Sequence, residues 1–318
     1  MIDTYGRKIT YLRLSVTELC NLRCRYCMPE EGVCKKNHAD MLTEDEMVLA
    51  VTAAAGLGVT KVRITGGEPL IKPNILSICR RVAGVQGIEE TDITTNALRM
   101  PELAVPLREA GIKRVNISLD TLDAERYKFM TRGGELKQAL LGIETALKAG
   151  FERIKLNAVL IGGFNDDEVP ALAELTRRWP VDVRFIELMP MPGDMIFGEQ
   201  AYVPASLVLQ KLPEAEAETS QRNGVAQLYR LPGALGCIGL ISPVTNSFCG
   251  ECNRLRLTAD GHVKPCLHSK EELSLKGLDL SGMTEVIRQA AAMKPRQHDR
   301  LSSQEKSSSL RPMNQIGG

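Results

Sequence analysis

The sequence predicts an α/β protein built as an incomplete (β/α)6 barrel of the TIM type, with a C-terminal α+β region closing the barrel mouth. Three observations carry this prediction. From Tyr11 to about Ile186, six β-type runs alternate with helical stretches. A doubly wound sheet has the same local pattern, but run after run here ends in polar residues suited to a ligand, as an active site at the carboxyl ends of parallel strands requires. After Ile186 the alternation gives way to shorter, less regular elements, and 318 residues suffice for one barrel with an appendage.

The first strand, Tyr11–Thr17, leads through Glu18 into Cys20, Cys24 and Cys27, a C-x3-C-x2-C. Three thiolates on one loop fill three corners of a four-cornered metal site and leave one open. Structural zinc wants four ligands, and Cys34 and His38 follow without a clean zinc pattern; a 4Fe-4S cluster tolerates the vacancy. Next, Thr43-Glu44-Asp45-Glu46 reads as a capping box that opens a helix, and Gly56 as its stop. The second strand, Lys61–Thr65, ends in Gly66-Gly67-Glu68-Pro69. Two glycines permit close backbone approach to a ligand, the carboxylate can accept from an ammonium, and the proline starts a helix.

The third strand, Thr91–Thr95, ends in Thr94-Thr95-Asn96, and Pro101 suits the first turn of the helix that Gly111 stops. Arg114–Leu119 brings Ser118 and, just beyond, Asp120. Gly150 precedes Arg153–Ile161, which carries Asn157. The sixth run, Asp182–Ile186, is followed by Glu187 and Met189. Six such ends converging on one mouth outweigh the reading of each as ordinary turn chemistry.

Leu188–Gly198 is rich in Met, Pro and Gly, and a methionine cluster by itself reads as packing. A second triplet follows: Cys249-x2-Cys252, with Cys266 after thirteen intervening residues. Spacing alone leaves two readings open, a second cluster or a Cys3His zinc site completed by His262 or His268. Behind Cys252, Arg254 and Arg256 point to one side of an extended segment and suit a polyanion such as a triphosphate. The chain thus divides into a barrel with the first triplet over 1–190, a region with the second triplet and the arginines over 191–296, and a serine-rich polar tail over 297–318. Composition reads that tail as flexible.

Composition narrows the function. With 40 basic against 39 acidic residues, no global field attracts nucleic acid or a membrane surface, so an anionic ligand must be held locally. An aromatic share of 4% is too thin for a base-stacking platform. The N-terminus has no apolar signal core and no run is long enough to span a bilayer, so the expected location is cytoplasmic. Nine cysteines, six of them in two triplets, read as metal ligation in a reducing compartment; Cys34, Cys79 and Cys237 remain as ordinary thiols.

The first triplet, with Tyr26 before its last cysteine, and the GGE loop after the second strand resemble the signature of the radical S-adenosylmethionine (SAM) family. Across nearly the full length the chain resembles that family's GTP-cyclising members, which open molybdenum cofactor biosynthesis. This rests on Tyr5-Gly6-Arg7, YLRLSVT with CxxxCxYC, KVRITGGEP, ITTN, NISLD, RFIELMP, FCxxCNRLRLT and the terminal Ile316-Gly317-Gly318. Glu18 stands where an Asp is frequent. The resemblance implies that Cys20, Cys24 and Cys27 hold a SAM-cleaving 4Fe-4S cluster, with Tyr26, Gly67, Ser118 and Met189 lining the SAM site. Cys249, Cys252 and Cys266 hold a second 4Fe-4S cluster that meets the guanine. Arg13, Arg63, Thr94, Lys155, Arg254, Leu255 and Arg256 bind GTP, and Gly317 and Gly318 assist catalysis from the tail. The implied reaction is ribose 3′ hydrogen abstraction and attack on guanine C8, giving 3′,8-cyclo-7,8-dihydro-GTP. It further implies an external low-potential electron donor, a downstream cyclic pyranopterin monophosphate synthase, and a homodimer.

Overall fold

A computed structural model describes residues 1–33, 36–192, 197–218 and 225–317. Cys34 and Gly318 lie outside the described residues, as does the side chain of His38. In chain order the barrel part runs β1 (Tyr11–Ser15), α1 (Glu44–Gly56), β2 (Lys61–Thr65), α2 (Ile75–Ala83), β3 (Glu90–Thr95), α3 (Met100–Glu109) and β4 (Arg114–Ser118). It continues α4 (Ala124–Thr131), α5 (Leu136–Ala149), β5 (Arg153–Leu160), α6 (Val169–Arg178) and β6 (Val181–Glu187). Beyond it come α7 (Leu207–Lys211), β7 (Glu216–Ala217), β8 (Gln227–Arg230), β9 (Ile238–Ile241), β10 (Arg254–Leu257), β11 (His262–Lys264), β12 (Leu273–Ser274) and α8 (Leu280–Ala292).

The six strands read from sequence form the parallel series β1 to β6, with ends shifted by two residues at most. The capping box is present: Glu46 N–H donates to Thr43 Oγ1 at 3.2 Å and Thr43 N–H to Glu46 Oε2 at 2.8 Å. Pro101 lies in the first turn of α3. Gly56 ends α1, yet the left-handed turn that follows falls on Gly58, at φ +92°.

The C-terminal strands join the same sheet. β10 pairs parallel with β1 at one edge and β9 pairs parallel with β6 at the other, giving the order β12-β11-β10-β1-β2-β3-β4-β5-β6-β9-β8-β7. The appended region therefore extends both edges of the barrel sheet as well as contributing walls to its mouth.

Each barrel strand alternates strictly. Leu12, Leu14, Val62, Ile64, Ile93, Val115, Ile117, Leu156, Val183 and Phe185 are almost fully buried in one continuous core. Residues between them, Arg13, Arg63, Thr94, Asn116, Asn157 and Arg184, face the interior. Parallel strands covered by helices ordinarily read as near-continuous apolar runs. The polar alternation here means that one face is kept for a ligand.

The tail differs from its compositional reading. Leu301, Ser307, Ser309, Asn314 and Ile316 are buried. Arg311 anchors it by donating to Glu272 at 2.8 Å and to Asp260 at 2.8 Å, an ionic tie that a count of serines does not register.

Candidate functional site

The interior faces of the strands surround a cavity of about 310 Å³ lined by both cysteine triplets. Strand register builds its middle. Arg13 pairs with Arg63 on β2 and with Arg256 on β10, so three guanidiniums form a row across the sheet. Lys155 pairs with Asn116, and Arg184 with Asn157, further along. Arg63 donates to Asp92 Oδ2 at 2.8 Å. Arg254 Nε, Arg184 Nε, Thr94 Oγ1, Asn116 Oδ1 and Asn157 Oδ1 are buried polar atoms without a hydrogen-bond partner. Native interiors leave few such atoms unmatched, and several around one cavity are what a bound polar ligand would satisfy.

The cations feel each other. Burial, then Arg184 and Arg63, bring the Lys155 ammonium down to about 6. Burial, then Arg254, lowers Arg256 to about 10; burial, then Arg63, lowers Arg184 to about 10. Crowded, buried positive charge of this kind calls for an anion with several charges.

At one end of the cavity lie Cys20, Cys24 and Cys27 with Tyr26, Gly67, Ser118 and Met189. Burial raises Cys20 to about 11 and Cys27 to about 12; burial and then the Cys27 thiolate raise Cys24 far above the usual thiol range. Three half-buried thiols that resist joint ionisation fit a group whose positive charge would reverse that balance. Glu68 accepts from Asn96 N–H at 2.7 Å, Thr95 Oγ1 at 2.7 Å and Leu70 N–H at 2.9 Å, yet burial still holds it up to about 7. Tyr26 donates its hydroxyl to Asp120 at 2.8 Å, fixing the aromatic ring beside the triplet.

The reason for Gly67 is more specific than its sequence suggests. A Cβ there would stand 2.3 Å from the Leu19 carbonyl oxygen, and Glu68 N–H donates to that same oxygen at 2.8 Å. The glycine lets the loop after β2 lie against the backbone that enters the first triplet.

At the other end lie Cys249, Cys252 and Cys266. Burial raises the Cys249 thiol, but hydrogen bonds and charge from His298 outweigh it and bring the thiol to about 7. Cys252 is lowered by Lys294 and Arg254 against the cost of its burial. Of the two histidines considered for a zinc site, His262 lies outside the cavity lining with Nδ1 against Arg311 Nη2 at 3.3 Å, while His268 lines the cavity and holds Ser307 Oγ through Nδ1 at 3.0 Å. Among the described residues, no three His, Cys, Asp or Glu converge on a single metal-ion position. A multi-iron cluster gives each thiolate its own iron and does not need that convergence.

Of the residues expected at the site, Leu255 does not face the cavity. It alternates outward from Arg254 and Arg256 into the core, 1% exposed, so only its backbone is available to a ligand. Lys155 is buried beside the cavity rather than in its lining. Gly317 reaches the guanidinium row: its carbonyl accepts from Arg13 Nε at 3.1 Å and Arg256 Nη1 at 2.8 Å. Its φ is +68°, and a Cβ would meet Thr65 Oγ1 at 2.2 Å, which excludes a side chain there. Sequence reasoning missed Arg184, Lys294 and His298, all in the lining. Arg184 was legible as the polar residue beside Ile186 on the interior face of Val181–Glu187; His298 carried no signal, standing alone in a polar stretch.

A parallel partial barrel with a thiolate triplet at the carboxyl ends of its strands defines a radical SAM protein, and the Radical SAM superfamily matches residues 14–176. Molybdenum Cofactor Synthesis C matches residues 181–300. The chain is 44% identical over 323 residues to a GTP 3′,8-cyclase of Alkaliphilus oremlandii, covering 100% of both chains. It is 47% identical over 328 residues to one of Pelotomaculum thermopropionicum, again covering 100% of both. Among solved structures, Streptococcus suis SuiB superposes with a TM-score of 0.64 at 16% identity, over 89% of this chain and 68% of that one. SuiB bound to S-adenosylmethionine gives 0.60 at 15%, over 89% and 66%. At that identity the likeness is one of fold. The chain belongs to the GTP 3′,8-cyclase family.

Proposed function

We propose that the cavity converts GTP to 3′,8-cyclo-7,8-dihydro-GTP, the first step of molybdenum cofactor biosynthesis. The observation that carries this reading is a row of buried guanidiniums lying between two thiolate triplets in a single cavity. Cys20, Cys24 and Cys27 hold one 4Fe-4S cluster, and Cys249, Cys252 and Cys266 a second. Bound at the first triplet, the cluster and SAM supply the radical chemistry that opens the ribose 3′ carbon.

The chain's own side chains do the rest. Glu68 accepts the ammonium of SAM, and Tyr26, Gly67, Ser118 and Met189 enclose its remainder. Arg13, Arg63, Arg184, Arg254 and Arg256 grip the triphosphate through charge-assisted hydrogen bonds worth about 1.5–3 kcal/mol each, and the Lys155 ammonium beside them adds its charge to GTP binding. Thr94, Asn116 and Asn157 offer unmatched polar atoms to the nucleoside. Held at both ends, the ribose is oriented and screened from water, which favours ring closure over quenching. Gly317 and Gly318 assist from the tail. The same reading carries an external low-potential electron donor, a homodimer, a cytoplasmic location, and cyclic pyranopterin monophosphate synthase as the next enzyme. Among the described residues no helix is long and apolar enough to cross a membrane.

Anaerobic reconstitution with iron and sulfide, then incubation with SAM, dithionite and GTP, tests the proposal by mass spectrometry. Expected are GTP-dependent 5′-deoxyadenosine and a product with the composition of GTP. SAM cleavage indifferent to GTP would overturn it.

A further inference from the structure

The N-terminal turn is built around one buried cation that lies outside the cavity lining. The Asp3 carboxylate accepts from the backbone N–H groups of Tyr5 and Arg7, each at 2.9 Å, and from Arg7 Nε at 2.6 Å, while Gly6 turns the chain at φ +79°. The Arg7 side chain is 7% exposed, and the rest of its guanidinium is spent on carbonyls from two distant segments. Nη1 donates to Cys249 O at 2.7 Å and to Arg296 O at 3.2 Å; Nη2 donates to Pro295 O at 2.7 Å. Cys249 heads the second triplet, and Pro295 and Arg296 lead into His298, which hydrogen-bonds Cys249. Lys294, next to them, donates to Arg254 O at 2.9 Å and to Pro265 O at 3.0 Å, carbonyls two residues past Cys252 and directly before Cys266. Two cations thus tie the backbone at Cys249 and within two residues of Cys252 and Cys266.

We propose that Arg7 is a positioning residue for the second cluster, holding the Cys249 backbone and the 295–298 segment at the spacing the three thiolates need. The inference rests on reading Cys249, Cys252 and Cys266 as cluster ligands. A planar fork with fixed donor directions can bridge three carbonyls at once, whereas an ammonium cannot reproduce that geometry. Supports of this kind, one bond removed from the ligands, commonly alter metal affinity about 10–100-fold when replaced.

The test isolates each cluster. In a full-length chain carrying Cys20→Ala, Cys24→Ala and Cys27→Ala, reconstituted iron is quantified, the electron paramagnetic resonance spectrum of the reduced cluster recorded, and iron loss to a chelator timed. Arg7→Gln is expected to speed that loss about tenfold and shift the spectrum, with Arg7→Lys intermediate. In the reciprocal chain, which lacks the second triplet, Arg7→Gln is expected to leave iron loss unchanged. An unaltered second cluster in both Arg7 variants would overturn the inference, and so would equal loss from both clusters, which marks a general loss of stability. If the chain with Arg7 intact and no first triplet binds no cluster, the ligand reading itself fails, and that result is separable from the effect of Arg7.

Discussion

Glu68 and Lys155 sit in one interior with ionisation displaced in opposite senses, each chiefly by burial: Glu68 up to about 7, Lys155 down to about 6. Their ligands differ in sign, so the pH dependence of the two binding steps should diverge. SAM brings an ammonium and needs the Glu68 carboxylate. Its affinity is expected to rise about tenfold as pH climbs from 6 to 8, then level off. A triphosphate needs the Lys155 ammonium and pulls its protonation upward. GTP affinity is expected to fall by up to about tenfold per pH unit above 6, with proton uptake on binding. Calorimetric titrations at pH 6, 7 and 8 in buffers of different ionisation enthalpy check both; parallel trends would remove these two residues from the assigned roles. At this scale much was legible in advance, since the arginines, the threonine and the cysteines occur in recognisable strings. What escaped was a residue such as His298, whose importance comes only from which thiol it meets.

Elements were legible wherever local rules govern them. The capping box on α1, the proline opening α3 and the alternation within β2 and β4 are short-range physics, and the sequence states them openly. The tail is the opposite case. Serine and glycine suggest solvated chain, yet Arg311 pairs with Glu272 and Asp260, Asn314 donates to the Glu18 carbonyl at 3.3 Å, and the terminal carbonyls seat on Arg13 and Arg256. Those partners lie far away in sequence, so no window of composition could reveal them. The seated carbonyls occupy donors that are also assigned to the triphosphate. Removing Gly317 and Gly318 is therefore expected to leave both clusters assembled and GTP binding no weaker, while abolishing cyclisation. Iron quantitation, calorimetry and product analysis on the truncated chain check this; full turnover would refute it.

For the whole molecule, a net charge of +1 conceals a concentrated interior charge. Global balance removes long-range steering as a source of affinity and leaves the buried cations as the source. Inorganic tripolyphosphate alone should then stabilise the fold, by about 2.7 kcal/mol at a hundred times its dissociation constant, whereas guanosine at equal concentration should do far less. Thermal unfolding with each ligand decides it, and an unmoved midpoint with tripolyphosphate would take the phosphate role from the arginine row. The pairing of β10 with β1 has a consequence in time. Tyr11 meets Arg254 across about 240 residues of intervening chain, so during synthesis at about 5–20 residues per second the first strand waits some 12–50 s for its neighbour. Through that interval the nascent polypeptide carries an open hydrogen-bonding margin beside its first three cysteines. It is then that chaperones and iron-loading proteins would find both most accessible.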